Sequence, residues 1–394
     1  MQVLRPATPA ELAEAIAEAA AEGVPLEIRG GGSKAAIGAP RRARILDMRG
    51  FAGVVDYDPA ELVLTVRAGT SLADVERLIA AEGQMLAFEP WDHGPLFGAA
   101  GETATIGGVV AAGVAGPRRL TAGGARDHLL GFSAVSGRGE AFVAGGKVVK
   151  NVTGYDLAKL MAGSWGRLAA LHEITLKVLP RPRVEATMAL DGLEDAAAHA
   201  AMARAMGCHA EVCAAAHLPA AVHGGRALTL LRLQGFEPSV TARCAILPGL
   251  LADHGAVRLL DRAEADTLWH GVRTAAPLAD AAVLWRVNVP PSGGCAVARA
   301  LAPLGARWLF DWAGGLLWIA CDGDPARVRA AAEEAGGHAL LVRAPEPLRA
   351  TIPFQHPRRP GVAALERRVR RAFDPAGVFE TGRYMDEADA HRIQ

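Results

Sequence analysis

No cysteine precedes Cys208, and the 394 residues hold only five: Cys208, Cys213, Cys244, Cys295 and Cys321. A sparse, odd set confined to one part of a long chain is not a disulfide framework, and reduced thiols in a reducing compartment are expected. Nor does it offer a cluster for an iron–sulfur centre. Neither sign of charge is in excess, because 42 Lys and Arg face 42 Asp and Glu. That balance excludes the basic footprint of a nucleic-acid-binding protein and a polybasic membrane contact. No run of about 18 apolar residues occurs, so no membrane-spanning helix is expected. The opening MQVLRPATPAELAEA lacks the apolar core of a signal peptide, and the chain reads as cytoplasmic. No fixed-period repeat is present, and alanine-rich wording such as AEAIAEAAAEG reflects helix propensity.

Apolar side chains and glycine are plentiful, at 51% and 45 residues. At this length two or three compact units are expected. Residues 8–23 predict a helix with both ends marked: Thr8 caps, Pro9 suits the first turn, Glu11 completes a capping box and Gly23 stops it. Strands follow at 25–28, 43–48 and 61–69. A second helix spans 71–83, capped by Ser71 and closed by Gly83. Residues 1–83 thus form a small α/β unit with mixed pairing. Residues 84–155 are glycine-dense with almost no helix period, and FSAVSGRGEAFVAGGKVVKN reads as three strands joined by glycine turns. A short helix ended by Gly163 and a strong strand at 170–180 lead to a boundary at Pro180 to Arg183. Residues 184–345 alternate strands and helices, an α+β sandwich with one sheet face covered. The segment after 350 is a helix and a turn-rich loop that docks back on the rest.

The stretch LEIRGGGSK, residues 26–34, delivers Gly30, Gly31 and Gly32 directly from a strand. Backbone amides in such a turn form an anion-binding concavity, and Ser33 and Lys34 add a hydroxyl and a positive charge. The P-loop spacing is absent, because Lys34 follows Ser33 with no Ser or Thr after it. The Rossmann spacing fails at Ala35. Gly31 is expected at positive φ, where a β-branched replacement is strained. A plain tight turn remains the alternative. The second glycine stretch, ATIGGVVAAGVAGPRR, presents Thr105, Ile106, Gly107, Gly108, Gly113 and Gly116 with small residues between, suited to a long ligand lying on backbone.

These motifs, with GPRR, the RD of GARDHLL and KNVTGYDLAKLMAGS in the same order, resemble the PCMH-type FAD-binding domain of the vanillyl-alcohol oxidase superfamily. LKVLPRP, LWRVNVP and GARWL narrow the resemblance to the family of FAD-binding subunits of the three-subunit bacterial glycolate oxidase. The fold implied is α+β: a two-subdomain FAD-binding domain at 1–180, an α+β cap at 184–345 and a returning segment at 350–394. The resemblance implies that FAD is bound by Arg29, Gly30, Gly31, Gly32, Ser33, Lys34, Thr105, Ile106, Gly107, Gly108, Gly113 and Gly116. Pro90, Gly166 and Leu171 then lie along the adenine side or under the dinucleotide, and FDPAGVF (373–379) returns to the flavin ring. Ser33 stands where covalent members carry histidine, and no early cysteine exists, so FAD is expected to be noncovalent.

The sequence departs from the family pattern at Trp165 and Ala169, and Glu380 and Thr381 replace the usual residues of the tail. A carboxylate there, near the flavin, would disfavour the anionic reduced ring. The histidine–glycine–aspartate–asparagine cluster of catalytic 2-hydroxy-acid dehydrogenases is absent, so a base and a carboxylate clamp are not evident. The histidines at 217, 223, 270, 338 and 356 show no persuasive pairing, and no catalytic residue is assigned. Cys208, Cys213, His217 and His223 lack a zinc-site spacing, so no metal is expected. Arg118, Arg119 and Arg126 face a ligand or form surface ion pairs. The reading implied is a flavin-binding glycolate oxidase subunit. Its partners are a catalytic flavoprotein subunit and an iron–sulfur subunit, and it associates with a membrane, if at all, through the complex. Two alternatives stand beside it: a self-sufficient FAD dehydrogenase for a 2-hydroxy acid, and a structural subunit with a vestigial FAD site.

Overall fold

The computed structural model describes residues 2–147 and 155–385. The third strand read from 147–151 and most of the KNVTGY motif lie outside them.

The first helix is Pro9–Glu22, capped as the sequence dictates. Thr8 Oγ1 accepts from the Glu11 amide, Glu11 accepts from the Ala7 amide, and Gly23 takes the left-handed conformation. Its buried face, Leu12, Ile16 and Ala19, packs on strands Leu26–Arg29 and Arg44–Asp47, which pair in parallel. A second sheet of five strands follows, in the spatial order 54–58, 63–67, 169–177, 129–136 and 141–145. Helix Leu72–Ala81 lies beside it, but the Ser71 side chain makes no capping bond. Ser71 instead bridges Thr105, and the Leu72 amide donates to Ala104 O, so the helix is set by the glycine-rich stretch.

That stretch is not all loop. Ile106–Ala112 is a helix, capped by Thr105 Oγ1 accepting from the Gly108 amide and closed by Gly113 at φ 65°. Gly107 and Gly108 hide the helical period, yet their smallness is needed: a Cβ on Gly107 would meet Ala68 O at 2.7 Å.

The second half builds one antiparallel sheet of eight strands. Its order is 257–259, 184–191, 228–235, 214–218, 307–311, 316–320, 284–288 and 338–343. The expectation of one covered face is corrected. Strands 214–218 and 228–233 are buried at every position. Helices Asp195–Met206 and Glu237–Leu250 cover one face, with Leu231, Leu233 and Ala215 beneath them. The other face meets the first half of the chain. There Arg232 pairs with Glu89 at 2.7 Å and Trp312 Nε1 donates to Gly116 O at 3.0 Å. Helix Pro360–Phe373 precedes a tail whose Val378 O accepts from the Leu26 amide at 2.8 Å.

Candidate cofactor cleft and the cavity beyond it

Strand Leu26–Arg29 ends in a turn whose shape is set by what leans on it. A Cβ on Gly30 would sit 2.0 Å from Thr105 Oγ1, and one on Gly31 would sit 1.6 Å from Thr103 O. Asp92 holds Thr103 in place, accepting from its amide at 2.6 Å and from its hydroxyl at 3.1 Å. The expected positive φ at Gly31 is therefore corrected. Gly32 is the left-handed residue, at φ 84°, and Gly31 is required by contact.

Arg29, Gly30, Gly31, Gly32, Ser33 and Lys34 line a cleft whose opposite wall is Thr105, Gly108, Ala111 and Ala112, with Trp165 and Arg383 at its sides. Lys34 is buried. Its ammonium donates to Ser33 Oγ at 3.2 Å and has no carboxylate within ion-pair distance among the described residues. Burial, opposed by Asp92 and aided by Arg383, pushes Lys34 down to about 8. Arg383, also buried, donates to Ile37 O and Lys34 O and is pushed down to about 10, chiefly by burial. A buried cation that lacks a counter-ion is costly unless an anion arrives. A pyrophosphate fits this donor set: backbone amides of a glycine turn, a hydroxyl and an ammonium.

The other residues expected around FAD are dispersed. Gly113 lines a second cavity, described below. Ile106 is fully buried in the core, and Leu171 is buried on the central sheet strand 169–177. Gly107 packs on Ala68, Gly166 on Ile28, and Gly116 on Glu89. Pro90 lines a separate, largely apolar hollow with Leu72, Leu96 and Ala276. Arg118 donates its amide to Glu89, Arg119 lies over the Trp312 ring at 5.1 Å, and Arg126 is exposed.

Lys34, Ala112 and Trp165 also line that second cavity, of about 200 Å³, so the two adjoin at these residues. Its far wall is the face of strands 316–320, 284–288 and 338–343. Trp318, Arg286 and Leu340 stand opposite one another in one row, with Asn288 opposite His338 in the next. His93, Gln355, His356 and Arg358 add to its polar lining. The segment reaching this cavity is thus 354–358. The 373–379 stretch, expected at the flavin ring, instead packs Val378 and Phe379 against the first helix and its strands.

Glu380 is likewise corrected as a neighbour of the cavity. It is buried between Arg167 and Arg370, 3.0 Å from the latter. Of the histidines weighed in the sequence, His338 and His356 both line the cavity. His356 is spoken for: its Nδ1 accepts from the Ala339 amide, leaving Nε2 to donate to Glu333 at 2.9 Å. His338 is pushed down to about 4 by burial and by Arg286, Arg358 and His356, so its ring is neutral at pH 7. Arg286 and Arg383 were missed in the sequence, where His338 stands only among the unassigned histidines and Trp165 only as a departure from the family pattern. The available signal was Arg286, the one charged residue of LWRVNV, where period-2 alternation puts it on one face with Asn288. His217 is a core residue bonded to Thr229 Oγ1 at 2.9 Å. Among the described residues no group of three or more His, Cys, Asp or Glu is placed to hold a metal. Among them, too, no helix is long and apolar enough to cross a membrane.

Comparison with known proteins agrees with this geometry. A family described as an FAD binding domain matches residues 1–145. The glycolate oxidase subunit GlcE of Escherichia coli (strain K12) is 34% identical over 387 residues, covering 95% of this chain and 97% of that protein. The chain belongs to the GlcE family. The GlcE likeness runs end to end, whereas the glycolate oxidase subunit GlcD of Bacillus subtilis (strain 168) is 32% identical over only 34% of this chain and 27% of its own length. The D-lactate dehydrogenase of Archaeoglobus fulgidus is 30% identical over 48% of this chain and 41% of its own. The chain thus matches relatives named for oxidation of 2-hydroxy acids, and its first 145 residues match an FAD binding domain. Among solved structures, p-cresol methylhydroxylase with substrate bound superposes with a TM-score of 0.68 at 14% identity, over 97% of this chain and 88% of that one. Alkyldihydroxyacetonephosphate synthase gives 0.65 at 15%, over 95% and 75%. Both speak for the fold, the PCMH-type α+β architecture.

Proposed function

We propose that the chain is the flavin-binding subunit of a glycolate oxidase, holding FAD noncovalently in the Gly30–Lys34 cleft and acting with a catalytic flavoprotein and an iron–sulfur subunit. The observation that carries it is Lys34: a buried ammonium with no carboxylate partner, in a glycine-lined cleft, on a chain 34% identical to GlcE along its length. Residues 1–180 carry the cofactor, 184–345 cover it, and 350–394 tie the two together. The Gly30–Gly32 amides, Ser33 and Lys34 hold the pyrophosphate, Thr105 and Gly108 form the facing wall, and Trp165 borders the passage to the second cavity. When bound, FAD supplies the two-electron acceptor that oxidation of glycolate to glyoxylate requires. The proteins' own part is to bind and orient the acid, exclude water and take up the hydroxyl proton.

The presence of Arg286 and His338 in the second cavity favours one further reading, a chain that turns over a 2-hydroxy acid unaided. Mixing FAD-loaded chain with glycolate under anaerobic conditions separates the two. Bleaching that needs both partner subunits is the expected outcome. Rapid bleaching by the isolated chain would establish the self-sufficient dehydrogenase instead.

Lys34 gives the cleft a pH signature. Its ammonium is pushed down to about 8 in the free protein, and a bound pyrophosphate raises it again. Affinity for FAD is therefore full below about pH 8 and falls as the pH rises above it, by up to about tenfold per pH unit. Fluorescence titration at pH 7 and pH 9 should show FAD binding roughly tenfold weaker at the higher pH. Lys34→Met should bind weakly at both and lose the difference; an unchanged difference in that variant would place the titrating group elsewhere.

A further inference from the structure

The second cavity has an unusual charge inventory. Lys34, Arg286, Arg358, His93, His338 and His356 line it, and no Asp or Glu does. Arg358 stands exposed and pairs with Glu366 at 3.2 Å, and His356 is bound to Glu333. Arg286 is different. It rises from a strand whose neighbours Leu284, Trp285 and Val287 are fully buried. It has no carboxylate within ion-pair distance among the described residues. Asp311 attracts it only from a distance and is itself pushed up to about 7, chiefly by burial.

A half-buried guanidinium without a carboxylate partner needs an explanation, because taking a charge out of water is costly unless an anion meets it. Packing does not supply one, since a leucine would suit Trp318 and Leu340 beside it. Arg286 is also held still. Its Nη1 donates to Asn288 Oδ1 at 2.7 Å, and the guanidinium lies 5.0 Å from the centre of the Trp312 ring. Trp312 is pinned in turn by its bond to Gly116 O. A guanidinium fixed on one side has its remaining donors for one other group, and a carboxylate matches that planar fork. Next to it, in the adjacent cross-strand row, stands His338. Trp91, Trp318, Leu340 and Val342 wall the cavity with bulk, which suits an acid with a small substituent.

We propose that this chain has its own small-acid subsite, in which Arg286 binds the carboxylate of a short 2-hydroxy monocarboxylic acid and His338 accepts a hydrogen bond from its hydroxyl. The proposal rests on the glycolate oxidase reading for its choice of acid, and names the residues that reading left unassigned. It makes the chain an acid-binding flavoprotein in its own right. A neutral imidazole beside a cation is the form able to accept that hydrogen bond, which agrees with the depressed His338.

The test is a titration of the full-length, FAD-loaded chain with oxalate, an acid that cannot be oxidised at a carbinol carbon. Binding is followed by the flavin difference spectrum and by calorimetry. Arg286→Leu should weaken oxalate binding roughly 10- to 100-fold with unchanged FAD content, the loss typical of one charge-assisted contact. Arg286→Lys should recover part of it, which a merely misfolded leucine variant would not explain. With anaerobic glycolate and acetate as paired probes, His338→Gln should narrow the preference for glycolate while leaving acetate unchanged. Arg262→Leu, on the surface, should bind as the unsubstituted chain does. Unchanged oxalate affinity in Arg286→Leu overturns the proposal. Loss of FAD rather than of oxalate in that variant also overturns it, and assigns Arg286 to the cofactor while leaving the cofactor reading intact. If the unsubstituted chain holds no FAD, the glycolate oxidase reading fails separately. Calorimetry on the apoprotein then decides: oxalate binding abolished by Arg286→Leu supports the subsite, and no oxalate binding overturns it.

Discussion

Gly31→Val is expected to lose FAD while leaving the sheet of residues 184–343 folded. The cause is contact rather than backbone conformation. A Cβ at this position falls 1.6 Å from Thr103 O, and that oxygen belongs to a residue tied by its amide and its hydroxyl to Asp92. Either the loop or the 103–105 segment must move, and forcing atoms into a packed site costs about 1–3 kcal/mol or more. The movement falls on the amides that face the cleft, so FAD affinity is expected to fall about tenfold for each 1.4 kcal/mol diverted. Gly32→Ala is the informative contrast. Nothing lies nearer its Cβ than Arg29 Cδ at 3.7 Å, so only the left-handed conformation penalises it, by about 1–2 kcal/mol. FAD titration of both variants, with far-ultraviolet circular dichroism as the folding control, should rank Gly31→Val far below Gly32→Ala. Equal affinities would show that the loop is an ordinary turn.

Glu380→Ala should be among the most destabilising single changes in the molecule. Its carboxylate lies between the guanidinium groups of Arg167 and Arg370, and all three residues are buried. Removing the anion leaves two buried cations to share what contacts remain, and breaking a buried pair typically costs about 3–5 kcal/mol. The tail it anchors also brings Arg383 to the carbonyls of Lys34 and Ile37, so FAD affinity should fall with stability. Urea unfolding followed by tryptophan fluorescence measures the first effect. A loss below about 1 kcal/mol would mean that the cluster behaves like a surface pair.

The two variants mark the limits of what was legible in the sequence. The first helix could be read residue by residue because Thr8, Glu11 and Gly23 satisfy its ends locally. The glycine loop could be recognised, but not the reason for each glycine, because Thr103 and Thr105 come from a segment about seventy residues away in the chain. Helix Ile106–Ala112 was hidden by Gly107 and Gly108, whose smallness answers to Ala68 and Thr105 and not to helix propensity. Strand Val54–Asp58 was missed because it is an almost wholly exposed sheet edge without apolar alternation. The tail motif places Glu380 near the flavin, whereas its partners Arg167 and Arg370 are brought to it only by the fold. Arg286 and His338 are 52 residues apart and meet only through strand pairing. A lone arginine in a largely apolar strand was the one clue the sequence held.

The most direct measurement is the simplest. The chain is purified, its visible spectrum is recorded, and the protein is precipitated with acid. The expected result is a flavin spectrum before precipitation, then all of the flavin in the supernatant, identified as FAD by the fluorescence gained on phosphodiesterase cleavage. Flavin retained in the pellet would contradict noncovalent binding at a site with serine at position 33. A colourless chain that binds no added FAD would contradict the assignment of the Gly30–Lys34 cleft itself.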